Sequence, residues 1–129
     1  MARARGDLAL AKVALPAGGF YEDLCFHAQQ AAEKAIKAVY RHCGLVFPYT
    51  HDLGELLAGL KAKGVEVPPV VEEAEVLSSY ASEARYPGLS EPVGEEEHRR
   101  AVELAEGVVR WAARIIGVGS DPGGLSTAG

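Results

Sequence analysis

Apolar residues recur along this chain at the three- and four-residue spacing that places side chains on one face of a helix. The spacing predicts helices over residues 4–15, 21–43, 69–86 and 95–116, and a shorter helix from residue 53 to Gly64. No stretch long enough for a sheet alternates apolar and polar positions. Because prolines and glycines separate these segments by short loops, the pattern predicts an all-α fold, an antiparallel up-and-down bundle of four to five helices.

The apolar faces also predict the core. The segment over residues 21–43 is the longest, and its apolar face is rich in alanine, so that neighbouring helices can approach closely. Cys25 and Cys43 lie on this face, too far apart to pair, and we expect both to be small buried residues. His98 is expected at the edge of the core. One face of the fourth helix carries Val70, Ala74, Leu77, Ala81 and Ala84. The predicted buried positions are Leu24, Ala28, Ala31, Ala35, Leu77, Leu104, Val108 and Trp111.

Length and charge narrow the functional classes. The 129 residues suit one domain, with residues 1–116 as the bundle and residues 117–129 as a flexible C-terminal tail. The formal net charge is −5, so contact with a phosphate backbone would need a local basic patch. No apolar run is long enough for a membrane span, and the N-terminus lacks the features of a signal peptide. We therefore expect a cytoplasmic protein with no membrane contact.

The common metal and phosphate-loop motifs are absent from the sequence. It contains no His-x-x-x-His, no Cys-x-x-Cys and no Walker-type glycine loop. We therefore expect neither a metal nor a cofactor.

Three segments carry a more specific pattern: residues 26–38 read FHAQQAAEKAIKA, residues 50–53 read THDL, and residues 85–87 read RYP. In this order they resemble the signatures of the HEPN domain, named for "higher eukaryotes and prokaryotes nucleotide-binding", over about residues 5–116. The resemblance implies a small helical bundle that is commonly a homodimer. It also implies two kinds of relative: partners of a minimal nucleotidyltransferase, often in toxin–antitoxin pairs, and metal-independent ribonucleases.

The chain departs from the ribonuclease branches in one respect. Those branches carry an arginine followed, after four to six residues, by a histidine, and no arginine in this chain has a histidine at that spacing. The resemblance therefore implies a binding module for a nucleotide, an RNA end or a nucleotidyltransferase partner. The alternative is a metal-independent endoribonuclease in which Arg85 acts with a histidine that is adjacent only in space, His51 or His98.

Candidate ligand-binding residues gather at one end of the predicted bundle. Counting helices places His51, Asp52, Arg85, Tyr86 and Arg41 at the same pole. Guanidinium groups and the free N–H groups of a helix N-terminus both suit a phosphate. The alternative is structural: Asp52 caps the third helix, and Arg85 pairs with a carboxylate or stabilises the end of the fourth helix.

A second group of residues predicts a dimer interface. Phe26, Glu33, Lys37 and Tyr40 lie opposite the alanine-rich face of the long helix. Two aromatic side chains are unexpected on a solvated face, so the pattern favours contact with a second copy across a two-fold axis. The alternative is that each aromatic side chain is exposed on its own, as is common on protein surfaces.

Overall fold

A computed structural model describes residues 1–81 and 92–117. The helices are α1 (Ala2–Ala11), α2 (Tyr21–His42), α3 (Leu53–Ala62), α4 (Pro69–Glu72) and α5 (Glu95–Ile116). A 3₁₀ helix (Glu73–Tyr80) continues directly from α4. The described ranges contain no strand, and the predicted all-α helical bundle is confirmed. Within the same ranges, no helix is both long and apolar enough to cross a membrane.

Helix α2 is the centre of the bundle. It packs mainly against α5 and α1, and also contacts α3 and the 3₁₀ helix. Its alanines at positions 28, 31, 32 and 35 are fully buried, which allows the helices to pack closely. All eight side chains that the apolar pattern places in the core are buried. Helix α2 is not the single longest helix, however, because α2 and α5 each have 22 residues.

The start of α3 is fixed by side-chain capping. The Asp52 carboxylate accepts hydrogen bonds from the backbone N–H groups of Gly54 (2.9 Å) and Glu55 (3.3 Å). The preceding N–H group, of Leu53, donates to the Ser78 hydroxyl at 2.9 Å, which joins α3 to the 3₁₀ helix. Asp52 therefore has the structural role that the sequence offered as its alternative.

Three local predictions are wrong. Val70 is 62% exposed and Val71 is buried in its place, because the segment changes from α to 3₁₀ geometry and the period of its apolar face changes with it. Cys43 is exposed, since α2 ends at His42 and the chain turns at Gly44 with a positive φ. Helix α1 ends at Ala11 rather than at residue 15.

The four residues of the predicted dimer interface on α2 do not share one exposed face. Tyr40 and Glu33 are only 2% and 5% exposed, so the chain itself covers both. The Tyr40 hydroxyl donates to the Leu56 carbonyl at 2.6 Å, which places this ring under α3. Phe26 and Lys37 are half-buried. A continuous face for a second copy is therefore not formed by these four residues.

Candidate anion-binding site

A groove of about 280 Å³ runs between the start of α1 and the C-terminal half of α2. Its lining includes four cationic side chains, Arg3 from α1 and Lys34, Lys37 and Arg41 from α2. Met1, Ala4 and Ala38 complete the lining. A chain with a net charge of −5 thus concentrates positive charge at one concave surface.

The three cations of α2 form a line. Positions 34, 37 and 41 are three and four residues apart, so their side chains lie on one face of the helix. At 1.5 Å per residue, they span about 10 Å along the helix axis. Such a row suits an extended anion that carries more than one negative group.

Lys37 is held in place by a buried carboxylate. Glu33 accepts hydrogen bonds from Lys37 Nζ at 2.8 Å and from Gln29 Nε2 at 2.7 Å. His51 Nδ1 lies 3.0 Å from the same carboxylate, although the His51 side chain is 68% exposed. Burial alone would raise the pKa of Glu33, but the hydrogen bonds from Lys37, Gln29 and His51 outweigh it and hold the pKa below its ordinary value.

Lys34 contacts a carboxylate in a similar way, and this carboxylate lies on α1. Asp7 accepts a hydrogen bond from Lys34 Nζ at 2.5 Å, and His27 Nδ1 lies 3.0 Å from its other oxygen. Burial would raise the pKa of Asp7, but the hydrogen bonds from Lys34 and His27 outweigh it and the pKa is lowered. Lys34 and Lys37, which line the groove, therefore each share a carboxylate with a histidine, and the Glu33 carboxylate also accepts from Gln29.

An aromatic side chain contacts two of the groove cations. The Phe47 ring lies 4.9 Å from Lys37 Nζ and 5.5 Å from the Arg41 guanidinium carbon, within the range of cation–π contacts. The same ring packs edge-on against Tyr40, with centroids 6.0 Å apart. The loop that follows α2 is therefore packed against Lys37 and Arg41 through Phe47, and Tyr49 in the same loop is fully exposed.

The predicted site residues separate into three groups. Arg41 lines the groove, and His51 reaches it indirectly, through Glu33 and Lys37. Asp52 is the cap of α3. Arg85 and Tyr86 lie outside the described residues, and the predicted pole that includes them stays a prediction.

Sequence reasoning missed four residues of this site: Arg3, Asp7, His27 and Lys34. The row formed by Lys34, Lys37 and Arg41 was readable from its spacing on a helix. The other three depend on the packing of α1 against α2, because Asp7 meets His27 and Lys34 across 20 and 27 residues of sequence. No periodicity within one helix carries that information.

His98 and Cys25 lie where the pattern predicts. His98 Nε2 is 2.7 Å from the carbonyl oxygen of Ala11, and its ring lies against Tyr21 at the core edge. Cys25 is fully buried. Among the described residues, no group of three or more histidine, cysteine, aspartate or glutamate side chains could hold a metal ion.

Comparison with known proteins agrees with the sequence motifs. The family model of the HEPN domain matches residues 1–116. The fold is similar to the crystal structure of TT1696 from Thermus thermophilus, with a TM-score of 0.76 and 33% identity over 88% of this chain and 93% of that one. It is also similar to the crystal structure of ST0689, an archaeal HEPN homologue, with a TM-score of 0.69 and 25% identity over 89% of this chain and 93% of that one. No curated protein sequence matches the chain. The chain belongs to the HEPN domain family.

Proposed function

We propose that this HEPN domain is a binding module that holds the phosphates of a nucleotide or an RNA end in the groove between α1 and α2. The observation that carries the proposal is the group of four cationic side chains around one concave surface of an acidic protein. Two of them, Arg3 and Arg41, have no carboxylate partner within the described residues, so their charge is not neutralised locally. One guanidinium group can donate two parallel hydrogen bonds to the oxygens of one phosphate, which suits this role.

The test compares phosphate binding by groove variants and by a matched control. Calorimetric titration with ATP and with a short single-stranded RNA is done for wild type, Arg3→Ala and Arg41→Ala. Each variant should bind about ten-fold more weakly, because a hydrogen bond to a charged group is lost. The dependence of affinity on salt should also become shallower.

The control is Arg110→Ala, which removes the same charge from an exposed position on α5. It should bind as wild type does, apart from a small effect of net charge. Equal losses in Arg110→Ala and Arg41→Ala would show a non-specific charge effect and contradict the groove as the site. Absence of binding by wild type to both ligands would contradict the proposed function.

The contact between Glu33 and His51 supports a second candidate, a metal-independent endoribonuclease. Glu33 engages Nδ1 of His51, while Nε2 has no partner within the described residues and the ring is exposed. A carboxylate that orients an imidazole in this way prepares the other ring nitrogen for proton transfer. Incubation with mixed RNAs in the presence of a chelator tests the candidate. Cleavage should be lost in His51→Ala and in Arg85→Ala, and retained in His42→Ala, an exposed histidine at the end of α2.

A further inference from the structure

Two of the four cations in the groove are partly neutralised by carboxylates that also contact a histidine. Lys34 shares Asp7 with His27, and the contacts are 2.5 Å and 3.0 Å. Both carboxylate oxygens of Asp7 are therefore used, one by each basic group. The Asp7 side chain is only 12% exposed, whereas the His27 and Lys34 side chains are each 33% exposed.

The cluster around Glu33 has a similar arrangement. Lys37 shares Glu33 with His51, at 2.8 Å and 3.0 Å, and the Glu33 side chain is 7% exposed. Gln29 supplies a neutral hydrogen bond to the remaining carboxylate position. Among the described residues, His27 thus contacts the charged group of Asp7, and His51 contacts that of Glu33. The same two carboxylates also contact Lys34 and Lys37, respectively.

Proton uptake by the histidines changes the balance of charge in both clusters. With neutral imidazoles, each carboxylate cancels the charge of its lysine, and the net charge of each cluster is zero. With a protonated imidazole, the carboxylate is balanced by the histidine, and the net charge of each cluster becomes +1. The lysine charge is then no longer cancelled at the groove. Histidine is the side chain that changes charge between about pH 5 and 8.

We propose that His27 and His51 make the groove a pH-dependent anion site, in which protonation of the two imidazoles leaves the charges of Lys34 and Lys37 available to the bound anion. The proposal rests on the proposed function, since it concerns the regulation of the same groove. By linkage, an anion bound in the groove promotes proton uptake to the same extent that protons promote its binding.

The probe for this proposal is hexauridylate with hydroxyl groups at both ends. Its phosphodiester groups and uracil bases do not change charge between pH 6.0 and 7.5, so any pH dependence comes from the protein. Calorimetric titration at low salt measures the dissociation constant at both pH values. Wild type should bind about ten-fold more tightly at pH 6.0, because two unit charges are gained near the anion. Titration in two buffers of different ionisation enthalpy should show that protons are taken up on binding.

The key variant is the double substitution His27→Gln with His51→Gln. Glutamine keeps a hydrogen-bond donor for each carboxylate but cannot gain a charge in this range. The ratio of affinities between the two pH values should fall close to one, and proton uptake should be lost. His42→Gln, which removes an exposed histidine without a carboxylate contact among the described residues, should keep the wild-type ratio.

The possible outcomes separate this proposal from the proposed function. Equal wild-type affinities at the two pH values, with binding that still depends on Arg41, would overturn the pH dependence alone. A pH dependence that persists in the double variant, or that disappears in His42→Gln, would overturn it as well. Absence of hexauridylate binding at both pH values would overturn the regulation together with RNA binding in the groove.

Discussion

Replacement of Gly59 by alanine should destabilise the protein, although alanine is normally the better residue within a helix. Gly59 lies inside α3, and a Cβ atom added there would overlap the hydroxyl group of Tyr40. Tyr40 cannot move away cheaply, because its ring is buried and its hydroxyl donates to the Leu56 carbonyl at 2.6 Å. The glycine is therefore required by one oxygen atom of a side chain on another helix.

The magnitudes follow from two opposing effects. Alanine within a helix is favoured over glycine by up to about 1 kcal/mol. Overpacking in a core typically costs about 1–3 kcal/mol, so the net loss in Gly59→Ala should be about 1 kcal/mol. Tyr40→Phe removes the hydroxyl and its hydrogen bond, which should cost about 1 kcal/mol by itself.

The double variant gives the decisive result. Without the hydroxyl, the nearest remaining atom to the added Cβ is the ring carbon Cζ, at an ordinary contact distance of 3.5 Å. Gly59→Ala should therefore be stabilising in the Tyr40→Phe background and destabilising in wild type. Urea denaturation followed by circular dichroism measures all four proteins, and the coupling should be about 2 kcal/mol. A Gly59→Ala substitution with the same effect in both backgrounds would refute the reasoning.

Three further predictions concern stability. Gly107→Ala should raise the free energy of unfolding by up to about 1 kcal/mol, since nothing lies near the added Cβ within α5, whereas Gly117→Ala should lower it because φ is +79° there; thermal denaturation checks both. Asp52→Ala should cost about 1 kcal/mol in urea denaturation and Asp52→Ser much less, because only the alanine removes the cap of α3. The lowered pKa of Asp7 gives stability that is present above its ordinary pKa of 3.8 and lost as the pH falls through the folded value, so denaturation at pH 5 and pH 3 should differ less in Asp7→Asn than in wild type; parallel pH profiles would contradict this.

The sequence predicts those parts of the structure that depend on one helix at a time. The helix spacing and the capping of α3 by Asp52 are local, and both are found in the structure. Tyr40 and Glu33 were misplaced because the prediction assumed that α2 buries a single face. This helix contacts α1, α3, α5 and the 3₁₀ helix, so it is buried on more than one face. The pattern along one helix therefore predicts that Glu33 is exposed to solvent. In the structure, its hydrogen-bond partners lie on α2 and in the loop before α3.

The groove was missed for a related reason, and its position gives the net charge a different meaning. A charge of −5 counts against nucleic-acid contact when it is treated as uniform over the surface. In the structure, four of the 13 lysine and arginine residues line the groove, while Glu72, Glu73 and Glu75 lie in α4 and the 3₁₀ helix, and three glutamates begin α5. A net negative charge repels a polyanion at long range, but a local group of cations such as this groove still attracts one at short range. The acidity of the chain is therefore compatible with the anion site proposed for the groove.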